Sequence, residues 1–241
     1  MKKNRNYYIR KIHRYLGVII GVQFLFWTIS GLYFSWTDID EIHGDHFLKP
    51  PSEHAVSGLI GLDQIDSTLK VSSLVLKFID GEPYYWINET YLIHASTGDL
   101  KHDISKDEAI TIANEHVADQ FQVEDAQYIT EVTDHHEYRG RPLPAWAISY
   151  QQSPNLMAYV SATDGSFQRV RHRSWRWFDF LWMTHTMDYE SRDDFNNWLL
   201  RSFSAFGLLT VLSGFVLFYI SSPTVRKVKK LPYRKNKATV K

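Results

Sequence analysis

The chain has 241 residues, with 27 Lys and Arg against 27 Asp and Glu, and no cysteine, so disulfides and thiolate chemistry are excluded. The neutral total hides a segregation: residues 1–36 and 221–241 hold 14 of the 27 basic residues and no acidic one, leaving 13 basic and 27 acidic residues between them. An acidic middle repels phosphates, which excludes nucleic acid as its partner.

Residues 1–14 form a basic N-terminus. Tyr15–Trp36 then runs for 22 residues without a charge, about 33 Å as a helix, enough to cross a hydrocarbon core. The run exits into Phe34-Ser-Trp-Thr-Asp38 rather than a small-residue cleavage site, so it reads as a retained span and not a cleaved leader. Trp27, Tyr33 and Trp36 near one end and Tyr7, Tyr8 and Tyr15 near the other fit aromatic belts. Gly17 and Gly21 lie on one helical face and predict close approach of another helix, either the second span or a second copy, or contact with a cofactor.

Residues 37–173 predict an α+β domain. Tyr91–Leu100 and Ala158–Phe167 align without gaps at an offset of 67, each reading as strand, glycine turn and returning strand. Alternating segments upstream of each (Val71–Phe78 with Tyr84–Ile87, and Tyr128–Val132 with Trp146–Tyr150) are further strands. Ser105-Lys-Asp-Glu108 is a capping box that opens a helix with Ala109, Ile110, Ala113 and Val117 on one face. Residues 59–69 are the weaker candidate for the matching helix of a first unit. The expectation is therefore a duplication, with units at about 57–102 and 103–172. The loop Thr133–Pro144 is expected to be exposed. Its His135-His136 pair, with Asp134 and Glu137, reads as polar surface before it reads as a metal site.

Residues 174–197 carry three Trp and two Phe between Ser174 and Met187 and read as an interfacial aromatic helix. Ser191-Arg-Asp-Asp194 reads as a second capping box, placing the start of the last helix near Arg192. Residues 198–220 are the second span, with Ser213-Gly214 as a packing position, and residues 221–241 a basic tail that suits anionic lipid. Basic residues flanking both spans place both termini in the cytoplasm and the acidic middle on the far side.

The helix with Glu108-Ala-Ile-x-x-Ala113, followed by strands ending in Tyr159-Val-Ser-Ala-Thr-Asp-Gly165, resembles the PepSY domain. The flanks resemble the PepSY-associated transmembrane family: Ile12-His-Arg-Tyr-Leu-Gly17 with Ser30-Gly-Leu32, and Trp177–His185 with Ser213-Gly-Phe215. The resemblance implies a two-pass protein of the bacterial inner membrane with a periplasmic tandem PepSY-like domain between its spans. It acts there as a binding, regulatory or accessory subunit of another membrane or periplasmic protein. Larger relatives with four spans imply an alternative, a haem-binding redox component of iron or metal acquisition resembling ferric-siderophore reductases, with haem b as cofactor. Inhibition of a periplasmic protease is a further alternative.

On that resemblance His13 and His185 are the candidate haem ligands. They are expected at opposite ends of the hydrocarbon, about 30 Å apart, too far to share one iron. His43 and His46, with Asp45 or Asp188, are a second candidate set for a metal on the outer face. Non-enzymatic work is the leading expectation: the sequence has no His-Glu-x-x-His, Gly-x-Ser-x-Gly, phosphate-cradling glycine loop or dinucleotide fingerprint, so no catalytic residue is nominated.

Overall fold

The computed structural model describes residues 5–51, 54–65, 68–151, 155–192 and 194–223; nearly all of the basic tail, and the first four residues, lie outside them. The chain is α+β, with two four-stranded antiparallel sheets between helices at either end. It divides into two compact units, Met1–Tyr33 with Trp182–Lys241, and Phe34–Leu181.

In the first unit, α1 (Arg5–Trp36) and α5 (Trp198–Ser221) are both long and apolar enough to cross a membrane. Only 17% and 6% of their most apolar windows are buried, so neither is the core helix of a soluble fold. Large apolar side chains such as Val18, Val22, Leu25, Leu208, Phe215 and Phe218 stay exposed. α5 starts at Trp198, later than Ser191-Arg-Asp-Asp194 predicts. The Ser191 hydroxyl donates to Asp188 (2.5 Å), and the Asp188 carboxylate also accepts from the Glu190, Ser191 and Asp194 amides. The serine therefore closes a turn, and Asn197 caps the helix by accepting from the Leu200 amide (2.8 Å).

In the second unit, Asp38 caps the short α2 (Ile39–His43), which ends at Gly44 with φ +89°. A Cβ on Gly44 would meet Val170 Cγ2 at 2.6 Å, so glycine is required both by the backbone and by packing. The first sheet is the meander β1 (Leu74–Ile79), β2 (Glu82–Ile87), β3 (Tyr91–His94) and β4 (Leu100–Lys101). The second follows α3 (Lys106–His116) as β5 (Val123–Ile129), β6 (Ala145–Tyr150), β7 (Met157–Ser161) and β8 (Phe167–Arg171). α4 (Arg173–Thr186) comes next.

The capping box forms as expected: the Ser105 hydroxyl accepts from the Glu108 amide, and the Glu108 carboxylate accepts from the Ser105 amide (2.9 Å). α3 lays Ala109, Ile112 and Ala113 on the inner face of the second sheet, against Ile148, Ala158 and Val160. Ile79 and Leu92 of the first sheet join this core, so one hydrophobic interior serves both sheets. Lys77 and Asp164 form a largely buried ion pair between them. Burial would raise the Asp164 carboxyl, but Lys77 and the Ser161 and Ser166 hydroxyls outweigh it and hold the carboxyl below its ordinary value.

The two sheets use the same turn. Gly98 and Gly165 both take positive φ. The His94 amide donates to Asp99 O (2.8 Å) and the Gly98 amide to His94 O (2.9 Å), just as the Ser161 amide donates to Ser166 O (3.0 Å) and the Gly165 amide to Ser161 O (3.1 Å). The match extends further. Ile60 N–H donates to Ala95 O and Ile104 N–H to Ala162 O, while Ala95 N–H donates to Pro83 O and Ala162 N–H to Pro144 O. An aromatic side chain on the second strand then reaches each isoleucine carbonyl, Tyr85 Oη to Ile60 (2.9 Å) and Trp146 Nε1 to Ile104 (2.8 Å).

Beyond these shared bonds the two halves differ. Within residues 59–69 the described residues form only a 3-10 turn, Leu62–Gln64, rather than the expected helix. Both backbone groups of Ile60 are committed to the sheet, and Gly58 and Gly61 each weaken a helix by about 1 kcal/mol. Ile60, Ile65 and Leu69 instead cover the outer face of the first sheet, over Tyr85, Ile87 and Ile93.

The outer face of the second sheet is covered by the 133–144 loop, which sequence alone places in solvent. Tyr138 is fully buried, stacks on Tyr159 at 4.6 Å and donates to Pro142 O (2.8 Å); burial pushes its phenol up to about 12. Small Ala145 and Ala147 leave the room that the Tyr138 ring fills.

Candidate functional site

In the first unit, α1 turns one stripe of side chains toward its neighbours. His13, Ile20, Gln23, Trp27 and Ser30 recur at helical spacing, and Ile20, Gln23 and Ser30 are buried although most of the helix is exposed. His13 Nδ1 lies 2.7 Å from Ser213 Oγ on α5. Toward the other end, Ser30 Oγ lies 2.7 Å from His185 Nδ1, Trp27 Nε1 donates to His185 O (2.7 Å), and Gln23 Nε2 donates to Thr184 O (3.2 Å).

Each serine hydroxyl that meets a histidine also lies against a carbonyl of its own helix. Ser213 Oγ donates to Thr210 O (2.8 Å) and Ser30 Oγ to Phe26 O (2.7 Å). While those carbonyl bonds hold, each serine oxygen can only accept from the imidazole, which places that ring's proton on Nδ1; a hydroxyl turned to the ring reverses the bond. Burial lowers the His185 pKa, which favours the neutral ring.

The two histidines are held far apart. Ser30, the His185 partner, lies 17 residues beyond His13 on the same helix, about 26 Å at 1.5 Å per residue. Together the two rings do not fit one iron, whose ligand nitrogens lie within about 2 Å of it.

The hairpin contact falls at Gly214, which the sequence nominates, and at Gly207, which it does not. No described atom comes within 4 Å of a Cβ placed on Gly17 or Gly21, so these two do not pack the hairpin. Gly207 does so, with Phe24 Cζ 3.0 Å from its would-be Cβ, and Gly214 sits under His13 Cε1 at 3.5 Å.

In the second unit, His43 ends α2 in an exposed position, and His46 lies tilted against Phe47 and meets His172 edge-on at 5.5 Å. Among the described residues no group of three or more His, Cys, Asp or Glu could hold a metal. The 133–144 loop is likewise occupied: His136 Nδ1 accepts from the Tyr138 amide (3.1 Å), and Glu137 is taken by other partners.

Those partners form a polar cluster that the sequence did not announce. The Glu137 carboxylate accepts from Arg176 Nε (2.6 Å), Arg176 Nη2 (2.9 Å) and Tyr159 Oη (2.8 Å). Arg139 pairs with the buried Asp179 (2.7 Å), and the Arg171 guanidinium lies 4.0 Å over the Trp175 ring. Burial pushes Arg171 down to about 10 even with Glu137 nearby. These bonds fasten residues 173–181 of α4 to the covered face of the second sheet. A cleft of about 490 Å³ lies between the two sheets, lined by Val75, Lys77, Trp86, Glu89, Thr163 and Asp164 among others. Its size falls within the roughly 300–1,000 Å³ typical of ligand pockets.

No family model matches this chain, and no curated protein or solved structure matches it.

Proposed function

We propose that the chain is a two-span protein of the bacterial inner membrane whose central domain, a tandem pair of PepSY-like units, works in the periplasm as a binding, regulatory or accessory subunit. The carrying observation is the distribution of surface on α1 and α5. Apolar side chains face outward from both helices, while five polar groups within them, His13, Gln23, Ser30, Thr210 and Ser213, are satisfied by other side chains or by backbone. A pair so built is suited to lipid, where each unsatisfied polar group costs several kcal/mol. The equivalent bonds of Ile60 with Ala95 and Ile104 with Ala162 support reading residues 57–102 and 103–172 as two copies of one unit, the first having lost its helix. The basic flanks support cytoplasmic termini.

A second reading is favoured by one observation, a serine hydroxyl held 2.7 Å from Nδ1 of both His13 and His185. In it His13 and His185 would each help to hold a separate haem, which would supply one-electron transfer; Ser213 and Ser30 would orient the rings, and Gly17 and Gly21, four and eight residues on from His13, leave its face of α1 open.

Protein purified in mild detergent from haem-replete cells separates the two. A colourless preparation that stays with the membrane through an alkaline wash is the expected result for a binding subunit. A stoichiometric Soret band lost in His13→Ala or His185→Ala would replace the first reading by the second.

A further inference from the structure

Four strands lie at sheet edges: β1 and β4 in the first sheet, β5 and β8 in the second. Three of them carry features that discourage pairing with another chain. β4 is two residues long. β5 has an irregular register at Val123/Asp125, where Glu124 and Asp125 add carboxylates, and β8 has a register shift and carries Arg169 and Arg171. β1 has none of these. It is six residues, Leu-Val-Leu-Lys-Phe-Ile, in unbroken register with β2 and without proline, glycine or acid.

The one charge on β1 does not guard it, because Lys77 is ion-paired with Asp164 and its side chain is 18% exposed. Meanwhile Leu74 and Val75 are exposed at 38% and 52%.

The hydrogen-bond phase of β1 follows from its ends. The Asn88 amide donates to Ser73 O, and the Ile79–Glu82 pair closes a two-residue turn at Asp80-Gly81. Residues 73, 75, 77 and 79 therefore bond to β2, and the amides and carbonyls of Leu74, Leu76 and Phe78 point away from the sheet. Among the described residues none of these six groups has a hydrogen-bond partner.

We propose that this edge pairs with the same edge of a second copy, antiparallel about a two-fold axis at Leu76, joining two four-stranded sheets into one of eight. In that register Leu76 faces the second copy's Leu76 and Leu74 faces its Phe78, so all six outward groups find partners and apolar side chains meet apolar ones. Lys77 faces the second copy's Val75, which keeps the two lysines from lying directly opposite. The charge pattern is self-complementary at the ends as well: exposed Lys70 precedes β1 and exposed Asp80 follows it, neither in an ion pair among the described residues, and antiparallel pairing brings the lysine end of one strand to the aspartate end of the other. The pairing belongs to residues 34–181 and stands or falls apart from the functional reading.

The absence of cysteine makes the test clean. Full-length Leu76→Cys, oxidised in membranes, is expected to give a covalent species of about twice 28.3 kDa, because opposed Cα atoms about 5.5 Å apart lie within disulfide range. Adding Leu74→Pro is expected to lower that yield by about fivefold or more, since proline at an outward amide leaves the β1–β2 ladder whole but removes an edge donor. Val75→Cys, at a more exposed position, is expected to be bridged to its own copy by a short bismaleimide, which guards against loss of fold at Leu76. The proposal is overturned if neither cysteine variant yields dimer, or if Tyr128→Cys on the guarded β5 edge yields as much.

Discussion

Glu137→Ala is expected to destabilise the protein by about 3 kcal/mol, at the lower end of what breaking a buried ion pair costs, because the Arg176 side chain keeps 34% of its exposure. The loss has two parts. Arg176 forfeits a two-armed bond to a carboxylate that is itself 13% exposed, and the buried Tyr159 hydroxyl loses its acceptor. Burial, with Glu137 second, already holds the Tyr159 phenol above its ordinary value, so ionisation offers no relief. Urea unfolding of the full chain in detergent, followed by tryptophan fluorescence, measures the effect. Glu137→Gln, which still accepts from Tyr159 but no longer attracts Arg176, should fall between wild type and Glu137→Ala. A loss below about 1 kcal/mol would place the cluster among ordinary surface ion pairs.

Gly165→Ala should cost about 2–4 kcal/mol and Gly98→Ala about 1–2, although both residues occupy the same turn. The backbone share is common, since φ is +67° at Gly165 and +83° at Gly98. Packing separates them. A Cβ at Gly165 would lie 3.1 Å from Ile79 Cγ1 and 3.2 Å from Ile112 Cδ1, inside the core shared by the sheets, whereas at Gly98 only Ile60 Cδ1 comes close, at 3.3 Å. Equal losses in the same urea assay would mean that the core yields at Gly165 and that the strain is wholly local.

The features readable from sequence were those set by short-range rules. The capping box at Ser105, the glycine turns at Gly98 and Gly165, and the two long apolar helices each depend on residues within a few positions of one another. What escaped was decided by distant partners. The 133–144 loop looks polar, yet Tyr138 fills space that Ala145, Ala147 and Tyr159 leave on a sheet face that had to be covered. Residues 59–69 have helical apolar spacing, but Ala95 and Tyr85 claim the backbone of Ile60. In the helical unit, Gly17 and Gly21 have the spacing of a packing motif, while contact falls at Gly207, opposite the bulk of Phe24. The serines beside both histidine rings carried one sequence signal: Ser30-Gly31 and Ser213-Gly214 place a hydroxyl within a largely apolar run, where it needs a partner.

The account rests on α1 and α5 lying in a bilayer with the acidic middle on the side opposite the termini. Cysteine labelling in spheroplasts tests it directly, because every thiol is an introduced one. Gln120→Cys, exposed just after α3, should react with a membrane-impermeant maleimide in intact spheroplasts, and Lys11→Cys, exposed near the start of α1, only after lysis. Labelling of Lys11→Cys in intact spheroplasts with protection of Gln120→Cys, or recovery of the chain as a soluble protein, would contradict it.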